Sequence, residues 1–383
     1  MTAPLFVAAA VQAEPVWLDA DASTEKAIGI IADAAAAGAS LVAFPEVWIP
    51  GYPAWIWIGS PLWGAQFIQR YHENSIVVGD ARFERLRKAA ADNSINVVIG
   101  ASERAGGSLY MAQFLFSREG EVVATRRKIK PTHVERSVFG EGDGADLVVR
   151  DMPGIGRLGA LNCWEHLQPL VRAAMYSQGE QVHVAGWPNL ADPAVVYALS
   201  HEANLRVSQV YALEGGCYVV AATTVLGEAG LRLFAQGDEE KVAGLCGGSG
   251  GFAQVFAPDG RPIGRQLSPE QEGLVFADID LGMLPLAKSM LDPTGHYGRP
   301  DVMQLLLDAE PRRPVVRMHG TRPSVADQAP DERRSHDEDR SGVDSTTGWA
   351  PHGAAHVRDE ADPSAETDRR ADRATGSPVN GPW

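Results

Sequence analysis

Cysteine is scarce in this chain: three among 383 residues, Cys163, Cys217 and Cys246. So low and odd a count excludes a disulfide framework and fits a reducing compartment, the cytoplasm. Long apolar runs are missing too. None approaches the roughly 18 residues of a transmembrane candidate, so no membrane partner is expected. The apolar start, MTAPLFVAAAVQA, lacks a basic flank and reads as a first strand rather than a signal peptide. Basic residues are in deficit. The formal net charge is -15, against the basic patch that nucleic acid or an anionic membrane requires. One more absence is local. From His319 to Trp383 there is no Leu, Ile, Phe or Tyr, and 13 Asp/Glu stand against 8 Arg. Such a segment buries too little apolar area to offset its ordering entropy and reads as a disordered acidic and Arg-rich tail. The expected division is one folded domain over 1–312, then a connecting stretch and tail over 313–383.

Hydrophobic residues make up 45% of the chain, enough for a large core. Strand and helix patterns alternate along the body. Leu5–Gln12, 40–44, 95–101, 158–161, 181–185 and 218–224 read as strands. Asp21–Ala37 reads as a helix with Ser23 or Thr24 as cap and Gly38 as stop. Further helices are expected over 83–93, 167–177 and 201–213. A hairpin is expected over 109–126, turning at Arg118-Glu119-Gly120, and strands over 252–256 and 274–279 close the body. The order predicts an α/β protein with mixed sheets covered by helices.

Three reactive side chains stand at strand ends, where loops converge over a rigid sheet. Glu46 follows SLVAF, Lys128 follows EVVAT with Arg127, and Cys163 follows RLGAL with Asn162. Singly, each has a plainer reading: a surface carboxylate, a solvated ammonium, a core thiol. Jointly they form a set for covalent acyl chemistry. A thiol needs a base to become a nucleophile, which a carboxylate supplies. An ammonium stabilises the anion that develops on the attacked group. Backbone N–H groups at the turn after Cys163, that of Trp164 first, add to this.

In order and spacing, Glu46 in FPE, Lys128 in RRK and Cys163 in NCWE resemble the Glu-Lys-Cys triad of the nitrilase superfamily. The resemblance spans the whole body. KPTHVERSVFGEGDG (130–144), CWEHLQPL (163–170) and DPTGHYGRPDV (292–302) resemble the true nitrilase branch, bacterial aromatic and arylacetonitrilases in particular. It implies the four-layer α-β-β-α sandwich. It implies dimers pairing across helices and assembling into larger spiral homo-oligomers. It also implies a second glutamate, here Glu135, supporting the lysine and the substrate, against the plainer reading of a loop salt bridge. The implied reaction converts an organic nitrile and water to the carboxylic acid and ammonia through a thioimidate and a thioester on Cys163. No cofactor is implied, and Cys217, Cys246, His133 and His166 lack zinc-like spacing.

The aromatic segment VWIPGYPAWIWIGSPLW (47–63), including Tyr52, reads equally as pocket wall or as core and interface. Tyr52, Trp164, Trp187 and Pro188 are taken as substrate-contacting candidates, favouring an aromatic or arylaliphatic nitrile. His166 is expected to be structural despite its closeness to Cys163, as are His133 and His296. Cys217 reads as core, Glu165 as ordering the turn after Cys163, and Cys246 as part of a flexible loop. Competing readings are a cyanide-degrading or amide-hydrolysing enzyme with the same triad, and a binding scaffold without turnover.

Overall fold

Strand β1 (Leu5–Ala13) buries both of its faces, and the two faces belong to different cores. In the computed structural model, which describes residues 5–188, 196–236, 238, 250–312, 315, 318–319 and 322–323, Ala8 and Ala10 point into one cluster while Ala9, Val11 and Ala13 point into another. The two-residue period of a strand makes this separation. β2 (Ala39–Ala43) does the same, with Leu41 and Ala43 on one side and Val42 on the other.

β3 (Asn96–Ala105), β4 (Ser108–Phe116) and β5 (Val122–Arg127) extend this half, with the short β6 (Phe139–Gly140) beside β4. The second half holds β7 (Val149–Met152), β8 (Gly156–Asn162), β9 (Val182–Trp187) and β10 (Tyr218–Thr224). β11 (Gln254–Phe256) pairs with β10 and β12 (Pro262–Ile263) with β11, and β13 (Gly273–Asp280) runs antiparallel along β1. The path is β5-β4-β3-β2-β1-β10-β9-β8-β7. Only Gln12 with Thr223 and Ala13 with Thr224 link β1 to β10, so the sheet folds over at that seam. Ala8, Leu41 and Val98 of one half then share a cluster with Leu158, Val184 and Val220 of the other. The pairing is mixed: β8, β9 and β10 run parallel, and β3 to β5 antiparallel.

Helices cover both outer faces. On the first lie α1 (Ala20–Ala36) and, past α2 (Trp55–Ile58) and α3 (Pro61–Glu73), α4 (Ala81–Asp92). On the second lie α5 (Pro169–Tyr176) and α6 (His201–Gly215). α7 (Glu228–Ala235) and α8 (Leu284–Met290) complete the described helices. Two helical layers on a doubled sheet make the expected α-β-β-α sandwich.

Some sequence expectations shift. α1 starts at Ala20, and Asp19 is its cap, accepting from the Ala22 N–H at 3.0 Å. Ser23 and Thr24 turn inward instead: Ser23 Oγ donates to Val16 O and Thr24 Oγ1 to Ala20 O. The aromatic segment forms α2 and opens α3, whose apolar residues are too dense for a 3.6-residue period to stand out. Cys246 and nearly all of the segment from 313 onward lie outside the described residues. Among the described residues no helix is long and apolar enough to cross a membrane.

Candidate active site

β2, β5 and β8 all deliver their C-terminal ends to one place. Lys128 directly follows β5, Cys163 directly follows β8, and Glu46 lies three residues beyond β2. The Lys128 ammonium donates to Glu46 Oε1 at 2.9 Å and to Glu135 Oε2 at 2.8 Å. Ligating atoms of Glu46, Glu135 and Cys163 lie within 4.8 Å of one another. All four side chains are buried, and Cys163 is the most exposed at 3%. The predicted triad and Glu135 therefore meet in one cluster. Two carboxylates and a thiol have the composition of a metal site, but the Lys128 ammonium already holds the cationic position between the carboxylates.

Each loop is fixed by its neighbours. The Glu46 loop lies against Gly100 of β3 and Gly186 of β9. A methyl on Gly100 would run into the Pro45 carbonyl, and one on Gly186 would come within 2.9 Å of Asn162 Oδ1 and 3.1 Å of the Glu46 nitrogen. Two glycines thus let the loop reach the sheet. Trp48 anchors its far side, its indole N–H donating to Ala13 O at 3.0 Å. The Lys128 N–H donates to Met111 O at 2.7 Å, and its carbonyl accepts from Gly142.

Glu135 sits in the short 3-10 turn His133–Ser137. Its Oε2 also accepts from the Thr132 N–H, and its Oε1 accepts from the Tyr52 hydroxyl at 2.7 Å. Trp57 in turn donates to the Tyr52 oxygen at 2.9 Å and stacks on His133. Cys163 opens a second 3-10 turn, Cys163–Leu167, at φ 47. Glu165 stitches that turn down. Its Oε2 accepts from the Asn162 N–H at 2.8 Å, and its Oε1 accepts from Arg126 Nη2 at 2.7 Å and from the Ile129 N–H at 2.8 Å. One carboxylate therefore ties the cysteine turn to the lysine loop.

The electrostatics follow from burial. Removal from water pushes the Glu46 carboxyl up to about 8; Lys128 opposes the rise and Glu135 adds to it. Burial likewise pushes the Cys163 thiol up, helped by Glu46 and opposed by Lys128 and the Trp164 N–H. Burial works against the Lys128 charge, but Glu135 and Glu46 outweigh it and hold the ammonium above its ordinary value. These directions favour an ammonium on Lys128, a neutral thiol on Cys163 and a Glu46 carboxyl that gains its base form toward about pH 8. The second oxygen of Glu46, Oε2, is buried with no hydrogen-bond partner among the described residues.

Residues 7–288 match the model of the carbon-nitrogen hydrolase family. The chain belongs to the carbon-nitrogen hydrolase family. An aliphatic nitrilase of Rhodococcus rhodochrous is 51% identical over 313 residues, covering 81% of this chain and 84% of its own. An arylacetone-specific nitrilase of Alcaligenes faecalis is 40% identical over 331 residues, covering 86% and 92%. On these similarities the chain falls on the nitrilase branch. A carbon-nitrogen hydrolase from Helicobacter pylori G27 shares the fold, with a TM-score of 0.61 at 16% identity over 78% of this chain and 96% of that one.

The other predicted residues of this carbon-nitrogen hydrolase have definite places. Tyr52 touches the cluster through Glu135. The Trp164 backbone N–H works against the upward shift of the Cys163 thiol. Trp187 is fully buried, its indole N–H on Ser208 Oγ at 2.9 Å, and Pro188 beside it is buried. His166 is buried and bonds the Cys163 carbonyl rather than its sulfur. His133 carries φ 45 and packs on Trp57. His296 stands far more exposed, near Asp292. Cys217 is buried as core. Arg126 escaped the sequence reading. Its one sequence signal is its alternation with Lys128 along the end of β5, which puts both on the same face.

Proposed function

We propose that this enzyme hydrolyses an organic nitrile to the carboxylic acid and ammonia, with Cys163 as nucleophile, Glu46 as general base and Lys128 as electrophilic support. The observation that carries this is the single ion chain Glu46–Lys128–Glu135 with the Cys163 thiol within reach. Cys163 attacks the nitrile carbon while Glu46 takes the thiol proton and passes it to the nitrile nitrogen, giving a thioimidate. Glu46 then carries a proton from water to the thioimidate nitrogen as the water oxygen adds to the same carbon; the remaining hydroxyl proton follows it to nitrogen as the C–N bond breaks, releasing ammonia and leaving a thioester on Cys163. A second water releases the acid from the thioester and restores the thiol. Lys128 and the Trp164 N–H face the charge that builds on nitrogen and then on oxygen. Glu135 holds Lys128 in place.

An aliphatic nitrile is the better-supported substrate. The 51% relative carries that name, and Trp55 and Trp187, two of the rings that suggested an aryl substrate, are taken up by packing. Trp55 packs on Phe67, Tyr71 and Phe234, and Trp187 stacks on His166. Homo-oligomeric assembly across α5 and α6 belongs to the same proposal. Leu170, Val210 and Leu213 stand 69%, 48% and 50% exposed there, and sedimentation velocity tests it.

The functional test is ammonia release from a panel of an aliphatic nitrile, phenylacetonitrile, benzonitrile, cyanide and the matching amides, with Cys163→Ala as control. Nitrile turnover, fastest on the aliphatic member and lost in Cys163→Ala, is expected. Turnover of amides alone, or an active Cys163→Ala protein, would overturn the assignment.

A further inference from the structure

Four buried polar side chains behind the cysteine turn take no part in the chemistry above. His166 Nδ1 lies 2.6 Å from the Cys163 carbonyl oxygen. Its Nε2 lies 2.8 Å from His183 Nε2 on β9. His183 Nδ1 lies 2.6 Å from Glu180 Oε1, and the Tyr211 hydroxyl donates to Glu180 Oε2 at 2.7 Å. All four residues are at most 2% exposed. The rings are held flat as well: His166 stacks on Trp187 and His183 on Tyr211.

The partners dictate where the protons sit. A carbonyl only accepts, so His166 Nδ1 carries a hydrogen. With His166 neutral, its Nε2 is a bare acceptor, and His183 Nε2 must donate. His183 Nδ1 and Glu180 then share one remaining proton, whichever of them holds it. From His183 forward the chain therefore has one direction, through His166 to the Cys163 carbonyl.

That carbonyl belongs to the peptide between Cys163 and Trp164, whose N–H leaves from the edge opposite the oxygen and opposes the upward shift of the Cys163 thiol. A peptide unit is planar, so fixing its oxygen fixes the direction of its N–H. A hydrogen bond to the carbonyl also polarises the N–H on the opposite edge. The need for a clamp is clear from φ 47 at Cys163, a left-handed conformation unfavourable for a residue with a Cβ.

We propose that His166, backed by His183, Glu180 and Tyr211, is a positioning residue that aims the Trp164 N–H at the Cys163 sulfur and the reacting atom. His166 touches neither substrate nor sulfur in this role. The inference rests on the nitrilase reading for its kinetic consequence and on the geometry of the turn for the rest.

The test compares two amides at one position. His166→Asn places an amide where Nδ1 was and keeps the clamp on the Cys163 carbonyl. His166→Gln places it where Nε2 was, keeps the contact to His183 and leaves the carbonyl bare. Two readouts are taken on the full chain: iodoacetamide alkylation of Cys163, followed by mass spectrometry, and kcat and KM for nitrile hydrolysis. His166→Gln is expected to lower both the alkylation rate and kcat by about 10- to 100-fold, short of the full loss of an oxyanion donor, with KM little changed. His166→Asn is expected to stay within several-fold of the parent. His183→Gln, which keeps a donor to His166 Nε2, should also stay near the parent and gives a second folded variant. Equal behaviour of the Asn and Gln variants, whether both impaired or both unimpaired, would overturn the proposal. A parent that alkylates at Cys163 but hydrolyses no nitrile would sink the nitrilase reading alone.

Discussion

Glu46→Gln should make the protein more tolerant of alkaline pH while abolishing its chemistry. The reason is the cost of ionising Glu46 inside the fold. Burial lifts its carboxyl from 4.5 to about 8. Below about pH 4.5 both folded and unfolded chains hold the proton, and the group costs nothing. Between 4.5 and 8 the unfolded chain releases the proton and the folded chain keeps it, so stability falls as pH rises. The slope is about 1.4 kcal/mol per pH unit, and the loss levels off above 8. From pH 6 to pH 9 the wild type should therefore lose about 3 kcal/mol through Glu46 alone. Glutamine keeps an oxygen for the Lys128 ammonium and has nothing to titrate, so the variant should not show this loss. Ionisable groups outside the cluster are common to both proteins and cancel in the comparison. Thermal melts of both at pH 6 and pH 9 read the difference of differences. In a protein of this size it amounts to roughly 5 °C in favour of Glu46→Gln at the higher pH. Parallel losses in the two proteins would mean that Lys128 already keeps Glu46 ionised at pH 6, and the burial reasoning would fail.

Three further outcomes follow from the same cluster. kcat/KM of the wild type should rise with pH toward about 8, because the base form of Glu46 is gained there; a flat profile from pH 6 to 9 contradicts it. Lys128→Met leaves Glu46 and Glu135 buried without their shared cation, and should cost about 3–5 kcal/mol of stability as well as nearly all activity. Denaturant titration at fixed pH checks it. Arg126→Met strips Glu165 of its guanidinium at 2.7 Å; the expected cost is again about 3–5 kcal/mol, with kcat falling more than KM changes because Glu165 anchors the cysteine turn.

Glu46, Lys128 and Cys163 were legible because each ends an apolar strand, and strand ends are easy to find in a sequence. Their partners were harder. Glu135 lies in a loop without periodicity, and only the family resemblance singled it out. Arg126 ends the second strand of the expected hairpin, and nothing local shows that Glu165, 39 residues on, turns back to meet it. His183 and Glu180 were invisible as a unit with His166. A lone His in the strand VHVAGW carries no signal until β9 is placed beside β8. Aromatic composition misled in a physical way. Trp48, Trp55 and Trp187 are large enough to satisfy a core or a pocket, and composition does not say which neighbour they meet.

The backbone carries a part of the site that no side-chain pattern reveals. Val47, His133 and Cys163 all adopt positive φ, at 44, 45 and 47 degrees. Each adjoins a member of the cluster: Val47 follows Glu46, His133 lies in the Glu135 turn, and Cys163 is itself the nucleophile. Left-handed backbone at residues with a Cβ costs of order 1–3 kcal/mol each and persists only where surrounding contacts impose it. Those contacts are present in every case. Trp48 on Ala13 holds the loop after Glu46, Trp57 stacks on His133, and His166 with Glu165 holds the cysteine turn. Three strained corners, each braced by a side chain tied to neighbouring backbone or to another ring, bring two carboxylates, an ammonium and a thiol together. Relaxing any one corner would separate them, which is why the bracing residues are as much a part of the site as the four side chains that meet there.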